Sequence, residues 1–436
     1  MIQADVIVIG AGAAGLIAAR ELSRDGKNVI VLEARNRIGG RVYTSHDAAF
    51  EQPVEAGAEF VHGKLPITHG LLKEYGIPVT PAKGEMWQCY NGQFSRQDDF
   101  IEYANLLDKP LKDLHSDITV AEFLESLPND DKHEELKFAL KEYIEGYDAA
   151  DVNKASALAF KHDWLHQDEK QFRVEGGYAR LIEAIANECR SNACRIITGV
   201  TVKTVNWKRR EVIIVTGTGE QFSAPCALVT VPLGILQLPT THNNAIEFVP
   251  ALSDKTVIAE EMGFGAVIKI LLQFDHAWWA DEEVRKRSGH KLDKMEFLFT
   301  DTRISTWWTQ HPHTGGLLTG WIGGPPAQQM SGQSDKDILD EALHALAYMF
   351  QLPLAQLEGM LKGWHVANWG ADEYAHGAYS YTTLNWKEQK KILSAPVEGT
   401  LFFAGEALYS GEEISMVEGA LGSGLETAAE ILHLPK

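Results

Sequence analysis

A parallel α/β fold whose sheet is covered on both faces is what this sequence predicts, on three observations at its start. Asp5-Val6-Ile7-Val8-Ile9 is a continuous apolar run, the pattern of a parallel strand buried on both sides. Gly10-Ala11-Gly12-Ala13-Ala14-Gly15 follows at once and opens Leu16–Ser23, whose apolar residues have helical spacing up to a stop near Gly26. Asn28–Glu33 then reads as a second strand, so the chain begins with a complete βαβ unit of Rossmann type.

The chain's 436 residues are too many for one ordinary core, and two or three units are expected. Asp98–Gly146 is rich in Leu, Glu and Lys at helical period and reads as a helical subdomain. Gly176-Gly177-Tyr178 opens a helix towards Cys189. Arg195–Val205, Glu211–Thr216 and Cys226–Val231 read as strands, the last ending at Pro232-Leu233-Gly234. Lys255–Phe274 carries a second sheet signal, and Asp335–Phe350 is an amphipathic helix. Leu401-Phe402-Phe403-Ala404 is again a buried strand, followed by a glycine turn and a closing helix, so the chain returns to its first domain at the end. No internal repeat or low-complexity linker is visible.

Composition narrows the function. A net charge of −20 lacks the basic footprint that nucleic-acid binding needs, and it suits the approach of a cationic small molecule as well as simple solubility. No run of about 18 apolar residues argues for a membrane span. The first strand starts at Asp5, which leaves no room for a signal peptide. Four cysteines (Cys89, Cys189, Cys194, Cys226) without C-x-x-C spacing read as reduced thiols, and a cytoplasmic location is expected. The histidines, His62, His311 and His313 among them, build no metal-ligand spacing, so no metal is expected.

Gly10, Gly12 and Gly15 stand between strand and helix, and Glu33 ends the next strand. That context supplies a tight turn, a close backbone approach to pyrophosphate, and a carboxylate for the ribose hydroxyls. Two features favour FAD over NAD. Arg35-Asn36-Arg37-Ile38-Gly39-Gly40-Arg41 is a basic glycine turn placed to return to the same pyrophosphate, and Phe403-Ala404-Gly405-Glu406 repeats a strand ending in a glycine turn. A long dinucleotide touching both ends of the chain explains both. No second fingerprint for NAD(P)H is present, so electrons are expected from the substrate, with dioxygen as acceptor. An FAD-binding domain over 1–84, 170–250 and 392–436 is therefore predicted, with a discontinuous α+β substrate domain over 85–169 and 251–391 that includes the helical subdomain.

At these residues the chain resembles the flavin-containing amine oxidase family of monoamine oxidases, polyamine oxidases and histone lysine demethylases. Glu55-Ala56-Gly57-Ala58-Glu59-Phe60-Val61-His62-Gly63 looks like the flavin-site motif of polyamine oxidases in particular. Gly265-Ala266-Val267-Ile268-Lys269-Ile270, Asn368-Trp369-Gly370-Ala371-Asp372 and His376-Gly377-Ala378-Tyr379-Ser380-Tyr381 follow in the family's order. The glycine loop (Gly10, Gly12, Ala13, Ala14, Gly15), the ribose end (Glu33, Ala34, Arg35) and the return turn (Gly40, Arg41) are the expected cofactor contacts. The resemblance adds Gly57, Ala58 and Glu59, Trp369 beside the flavin ring, and Gly405, Glu406, Met416 and Val417 near the C-terminus. It also implies that Val202 contacts the adenine through its backbone.

Lys269 stands out without the family. It lies in Val267-Ile268-Lys269-Ile270-Leu271-Leu272, apolar on both faces, where an ionised lysine is costly and tends to have a depressed pKa, unless it snorkels from a sheet edge. The family's lysine holds a water against flavin N5. Trp364, Trp369, Tyr374, Tyr379, Tyr381 and Trp386 crowd one segment, either as core or as walls for an amine. By resemblance Tyr379 is one wall of the substrate cage and Met416 the opposite one, where many oxidases have tyrosine. His62 and Glu59 are further substrate-side candidates. Ala378 stands where monoamine oxidases carry the cysteine that bonds flavin, so non-covalent FAD is expected. Phe299–Thr309, with Trp307 and Trp308, reads as a substrate cover or as core.

The reaction implied is hydride transfer from the carbon next to an amine nitrogen to FAD, reoxidised by dioxygen to hydrogen peroxide. One rival is an L-amino acid oxidase, which needs an arginine for the carboxylate; Arg173 and Arg303 are unplaced by sequence. A flavin desaturase of an apolar substrate leaves Lys269 and Tyr379 without a purpose, and a flavoprotein scaffold for partner proteins lacks a docking tail.

Overall fold

The computed structural model describes residues 1–97, 101, 103–166 and 170–434. At its centre lies a five-stranded sheet in the order Cys194–Ile197, Val29–Leu32, Val6–Ile9, Cys226–Val229, Leu401–Phe403, parallel throughout. Strand side chains alternate between faces, and both faces here are apolar. Val6, Val8, Val29, Val31, Leu228 and Phe402 pack beneath helices Ala13–Arg24, Ala179–Ser191 and Val417–Leu432. Ile7, Ile9, Ile30, Leu32, Val229 and Phe403 face the other way, onto Val205, Val212, Ile214 and Phe222 of a second five-stranded sheet. The continuous apolar runs in the sequence follow from this three-layer sandwich.

A third, seven-stranded sheet runs Leu361–Asn368, Val267–Phe274, Leu317–Gly323, Thr306–Thr309, Met295–Thr300, Glu85–Tyr90, Gln93–Gln97. Helix Asp335–Phe350, capped by the Ser334 hydroxyl, covers one face through Ile338, Ala342, Leu346 and Met349. Helices Val120–Ser126, Asp131–Gly146 and Ala157–His166 form a separate apolar cluster around Phe123, Leu136, Leu140 and Phe160. The first of them carries a complete capping box, Thr119 with Glu122. Part of the helical segment read from the sequence, 98–100 and 102, lies outside the described residues. No helix among the described residues is long and apolar enough to cross a membrane.

Two expectations change. Arg195–Val205 is two strands in two different sheets, because Gly199 at φ +73° turns the chain between Cys194–Ile197 and Val202–Lys208. Lys255 begins no strand: Ser253–Glu261 is a helix and the sheet starts at Gly263. Its β-branched residues misled, since Val257 is exposed, while Lys255 donates to the carbonyls of Ile392, Leu393 and Ala395 at the end of helix Trp386–Ser394. Phe299–Thr309, read as cover or core, holds the ends of two paired strands, with Trp307 fully buried in the core and Phe299, Thr306 and Trp308 on the cavity wall.

Candidate active site

One cavity of about 1140 Å³ runs from the N-terminal glycine loop to the helical cluster. At the first end, Gly12 presents bare backbone: a side chain there would meet nothing within 4 Å and would project into the space itself. Gly405 is open in the same way. Gly15 is the opposite case, since a Cβ would come within 2.0 Å of the Gly10 carbonyl, so glycine is required for the helix to start this close to the strand. The Glu33 carboxylate accepts the Ala11 N–H at 2.7 Å and the Arg35 N–H at 2.9 Å, and each oxygen keeps a lone pair for a ribose hydroxyl. Ala13, Ala14, Ala34, Gly40 and Val202 line this end. These features fit a dinucleotide.

In the middle, Arg41 donates to the Ala378 carbonyl at 2.7 Å and to Glu406 at 2.9 Å. Glu406 also accepts the Ser380 hydroxyl and the Ser415 N–H, which ties the C-terminal turn to the segment before Tyr381. Arg35 pairs with Asp372 and lies 5.9 Å from the Trp369 ring centre. Trp369 is buried and anchored by its indole N–H on the Ala56 carbonyl at 2.9 Å. Gly57 has no room for a side chain, because a Cβ would sit 2.0 Å from the Arg41 carbonyl.

Strand alternation decides where Lys269 points. Ile268, Ile270 and Leu272 face the helix-covered core, so Lys269 faces the opposite side with Val267 and Leu271, towards Gly57 and Trp369. Its ammonium does not snorkel out of the sheet but is buried and bonded to Glu59 at 2.7 Å. Glu59 in turn accepts from Arg173 Nε at 3.1 Å, Trp308 Nε1 at 3.1 Å and Gln310 Nε2 at 3.1 Å. Burial would raise this carboxyl, but Lys269 and Arg173 outweigh it and hold it down to about 2. Glu59 therefore lines the cavity with both oxygens already engaged by protein donors. Val417 and Met416 lie at the start of helix Val417–Leu432, also on the cavity wall.

The far end is aromatic and acidic. The Tyr379 hydroxyl donates to the Tyr147 carbonyl at 2.6 Å, and Tyr143 stacks on Tyr147 with ring centres 5.2 Å apart. His62 Nδ1 is 3.4 Å from the Tyr147 hydroxyl, and burial lowers the imidazole to about 4, which keeps it neutral at pH 7. Burial also pushes the Tyr379 phenol well above its ordinary value. Asp148 follows on the same wall and has no hydrogen bond or ion pair among the described residues; burial first, then the nearby Asp163 carboxylate, pushes it up to about 8. Asp163 and Glu142 line the same end. Sequence reading missed Tyr143, Tyr147 and Asp148, which sit at the end of a helix so rich in Glu and Lys that it looks solvated throughout. The signal was the i,i+4 tyrosine pair at its end.

Arg173 is consumed by Glu59 and by the Thr309 and His311 carbonyls, and Arg303 is exposed. Arg35 and Arg41 have carboxylate partners of their own. None of the four cysteines lines the cavity, and all four are buried as free thiols. No group of metal-ligating side chains gathers among the described residues.

A dinucleotide cradle opening onto a lysine-bearing, aromatic-walled cavity defines a flavin-type oxidoreductase. The sequence matches the flavin containing amine oxidoreductase family over residues 13–432, and the chain belongs to that family. It is 29% identical to lysine-specific histone demethylase 1 homolog 2 of Oryza sativa subsp. japonica, over 99% of this chain and 57% of the relative. It is 28% identical to human lysine-specific histone demethylase 2, over 98% and 53%. The chain thus spans a little over half the length of these two relatives. Among solved structures, putrescine oxidase bound to putrescine superposes with a TM-score of 0.80 at 20% identity, covering 99% and 100% of the two chains. Cyclohexylamine oxidase from Brevibacterium oxydans IH-35A gives 0.78 at 20%, covering 98% of each.

Proposed function

We propose that this protein is an FAD-dependent oxidase of a small amine that carries a second positive charge. The observation that carries this reading is Asp148, a carboxyl with no hydrogen bond or ion pair among the described residues, on the aromatic and acidic far wall of the cavity. A half-buried carboxyl facing a second carboxyl without a cation is costly, and an ammonium on a bound substrate would relieve that cost. Bound FAD would supply the acceptor for two electrons and the hydride from the carbon next to nitrogen. Tyr379, Tyr143, Tyr147 and Trp369 give the amine an apolar, water-poor path that favours its neutral form at the reacting end. Glu33, Gly12 and Arg41 would hold the cofactor, and Lys269 would hold a water at the ring. Overall, the amine loses two electrons and two protons to become an imine, dioxygen gains them to become hydrogen peroxide, and water hydrolyses the imine to a carbonyl compound.

The arginine that an amino acid oxidase needs is missing from the free groups of the cavity among the described residues, so that rival loses its recognition element. The test is a peroxide-coupled assay over monoamines, α,ω-diamines, polyamines, amino acids and an N-methyl-lysine peptide. Diamines or polyamines are expected to lead. A preference for the peptide would move the reading to demethylation, and a preference for amino acids would overturn it.

Three further outcomes are expected from the same site. Acid denaturation should release intact FAD into the supernatant, because Ala378 offers no thiol and no cysteine reaches the cavity; flavin retained in the precipitate would refute this. Tyr379→Ala should lower kcat/KM for amines by roughly two- to thirty-fold, the range of a lost cation–π wall. Met416→Tyr should shift the ratio of kcat/KM between two amines towards the slender monoamine. An unmoved ratio in both variants would remove these residues from the substrate path.

A further inference from the structure

We propose that Glu59 is a positioning residue for Lys269, aiming its ammonium at the flavin site and setting the net charge beside the ring. The inference rests on the oxidase reading above and adds a residue to it. Four donors converge on this one buried carboxylate: a lysine, an arginine, an indole and an amide, from three different strands or their ends. Lys269 itself is held from two sides, by Glu59 at 2.7 Å and by the Gly57 carbonyl at 3.3 Å, and its ammonium lies 5.3 Å from the Trp308 ring centre. Trp308 is in turn fixed by Glu59, so one carboxylate orients both the cation and the ring beneath it.

The surrounding charges make Glu59 decisive. Arg173 and Lys269 bring two positive charges into the wall. Of the other carboxyls close by, burial pushes Glu55 up to about 7 and raises Glu296 despite Arg173 at 4.0 Å. Glu59 alone of the three is driven down, so it is the firm counter-charge for both cations. Arg173 is anchored independently by the Thr309 and His311 carbonyls, and His311 Nδ1 lies on the Lys83 carbonyl. Among the described residues Lys269 has only Glu59 and one long bond to Gly57, which makes it the group that moves if the carboxylate is lost.

Glu59→Gln and Lys269→Met should be compared singly and together on the flavin-loaded enzyme. Two readouts are needed: the midpoint potential of the bound flavin and the rate of its reoxidation by dioxygen. Glu59→Gln uncovers positive charge, so the midpoint should rise; the rise should be smaller with Lys269→Met also present. Reoxidation should slow by about 10- to 100-fold, the scale of a misplaced reacting group, and this effect should vanish in the Lys269→Met background. Equal slowing in both backgrounds, or an unmoved midpoint, makes Glu59 structural and overturns the proposal. If Glu59→Gln fails to hold flavin, Glu59→Asp carries the test. It keeps the charge and draws it back by one methylene, so the midpoint should stay while reoxidation slows only when Lys269 is present; parent-like reoxidation overturns the proposal. Unchanged half-reactions in Lys269→Met alone would instead fault the role of Lys269, and the Glu59 assignment would fall with it.

Discussion

Lys269→Met is expected to retain FAD and to slow at least one flavin half-reaction by about 10²–10³-fold, the usual effect of removing one preorganised polar group from a reacting centre. Retention follows from geometry, because the cradle of Gly12, Glu33 and Gly405 is built by elements remote from the strand that carries Lys269. Methionine has nearly the same length and no charge, so it fills the volume without the hydrogen bonds. Glu59 keeps Arg173, Trp308 and Gln310, which limits the penalty of leaving a buried carboxylate short of one cation, up to about 3–5 kcal/mol where no other partner remains. Glu59 is held down to about 2 in the folded protein, against an ordinary value near 4.5. Its contribution is therefore present above that ordinary value and lost as pH falls towards 2. The Tm deficit of Lys269→Met should be largest near neutral pH and shrink in acid. Stopped-flow traces of flavin reduction and reoxidation matching the parent would reduce Lys269 to a structural lysine.

The fold was legible where local chemistry and tertiary environment agree. The run Val6–Ile9, the loop Gly10–Gly15 and helix Asp335–Phe350 each carry a periodicity that only one packing satisfies. Ser253–Glu261 was misread because Val257 and Ile258 favour strands in isolation, whereas the segment's place is set by a lysine reaching carbonyls more than a hundred residues away. Arg195–Val205 was misread for a smaller reason, one glycine whose positive φ moves the chain from one sheet to another. At the site, Lys269 announced itself by being charged on an apolar strand, yet its partner did not. Glu59 lies 210 positions away, and a single sequence has no signal for a contact of that range. Asp148 was hidden differently: an aspartate after a charged helix looks like a solvated end, and only the packing of the helical cluster against the flavin side turns it inward.

Asp148→Asn is expected to lower the ratio of kcat/KM for an α,ω-diamine over the matching monoamine by about 10- to 100-fold, since a hydrogen bond to a charged group contributes roughly 1.5–3 kcal/mol. The monoamine serves as internal control, because it shares the reacting end and the aromatic walls but has no second cation. Flavin loading cancels in the ratio. Stability should move the other way. Burial and Asp163 raise Asp148 to about 8 in the folded protein, against an ordinary value near 3.8. A raised carboxyl holds its proton only when folded across that window, so its contribution is present below about 4 and is lost as pH rises through 8. Asparagine cannot ionise and escapes this loss. The variant should therefore match the parent in Tm near pH 4 and exceed it near pH 9, in the absence of amine. Diamine at a fixed concentration should narrow the gap at pH 9 by stabilising the parent more than the variant, because only the carboxylate gains a counter-ion. A selectivity ratio that stays constant would remove the second charge from the substrate reading. A Tm difference independent of pH would show that Asp148 is not desolvated in the way its place on the cavity wall requires.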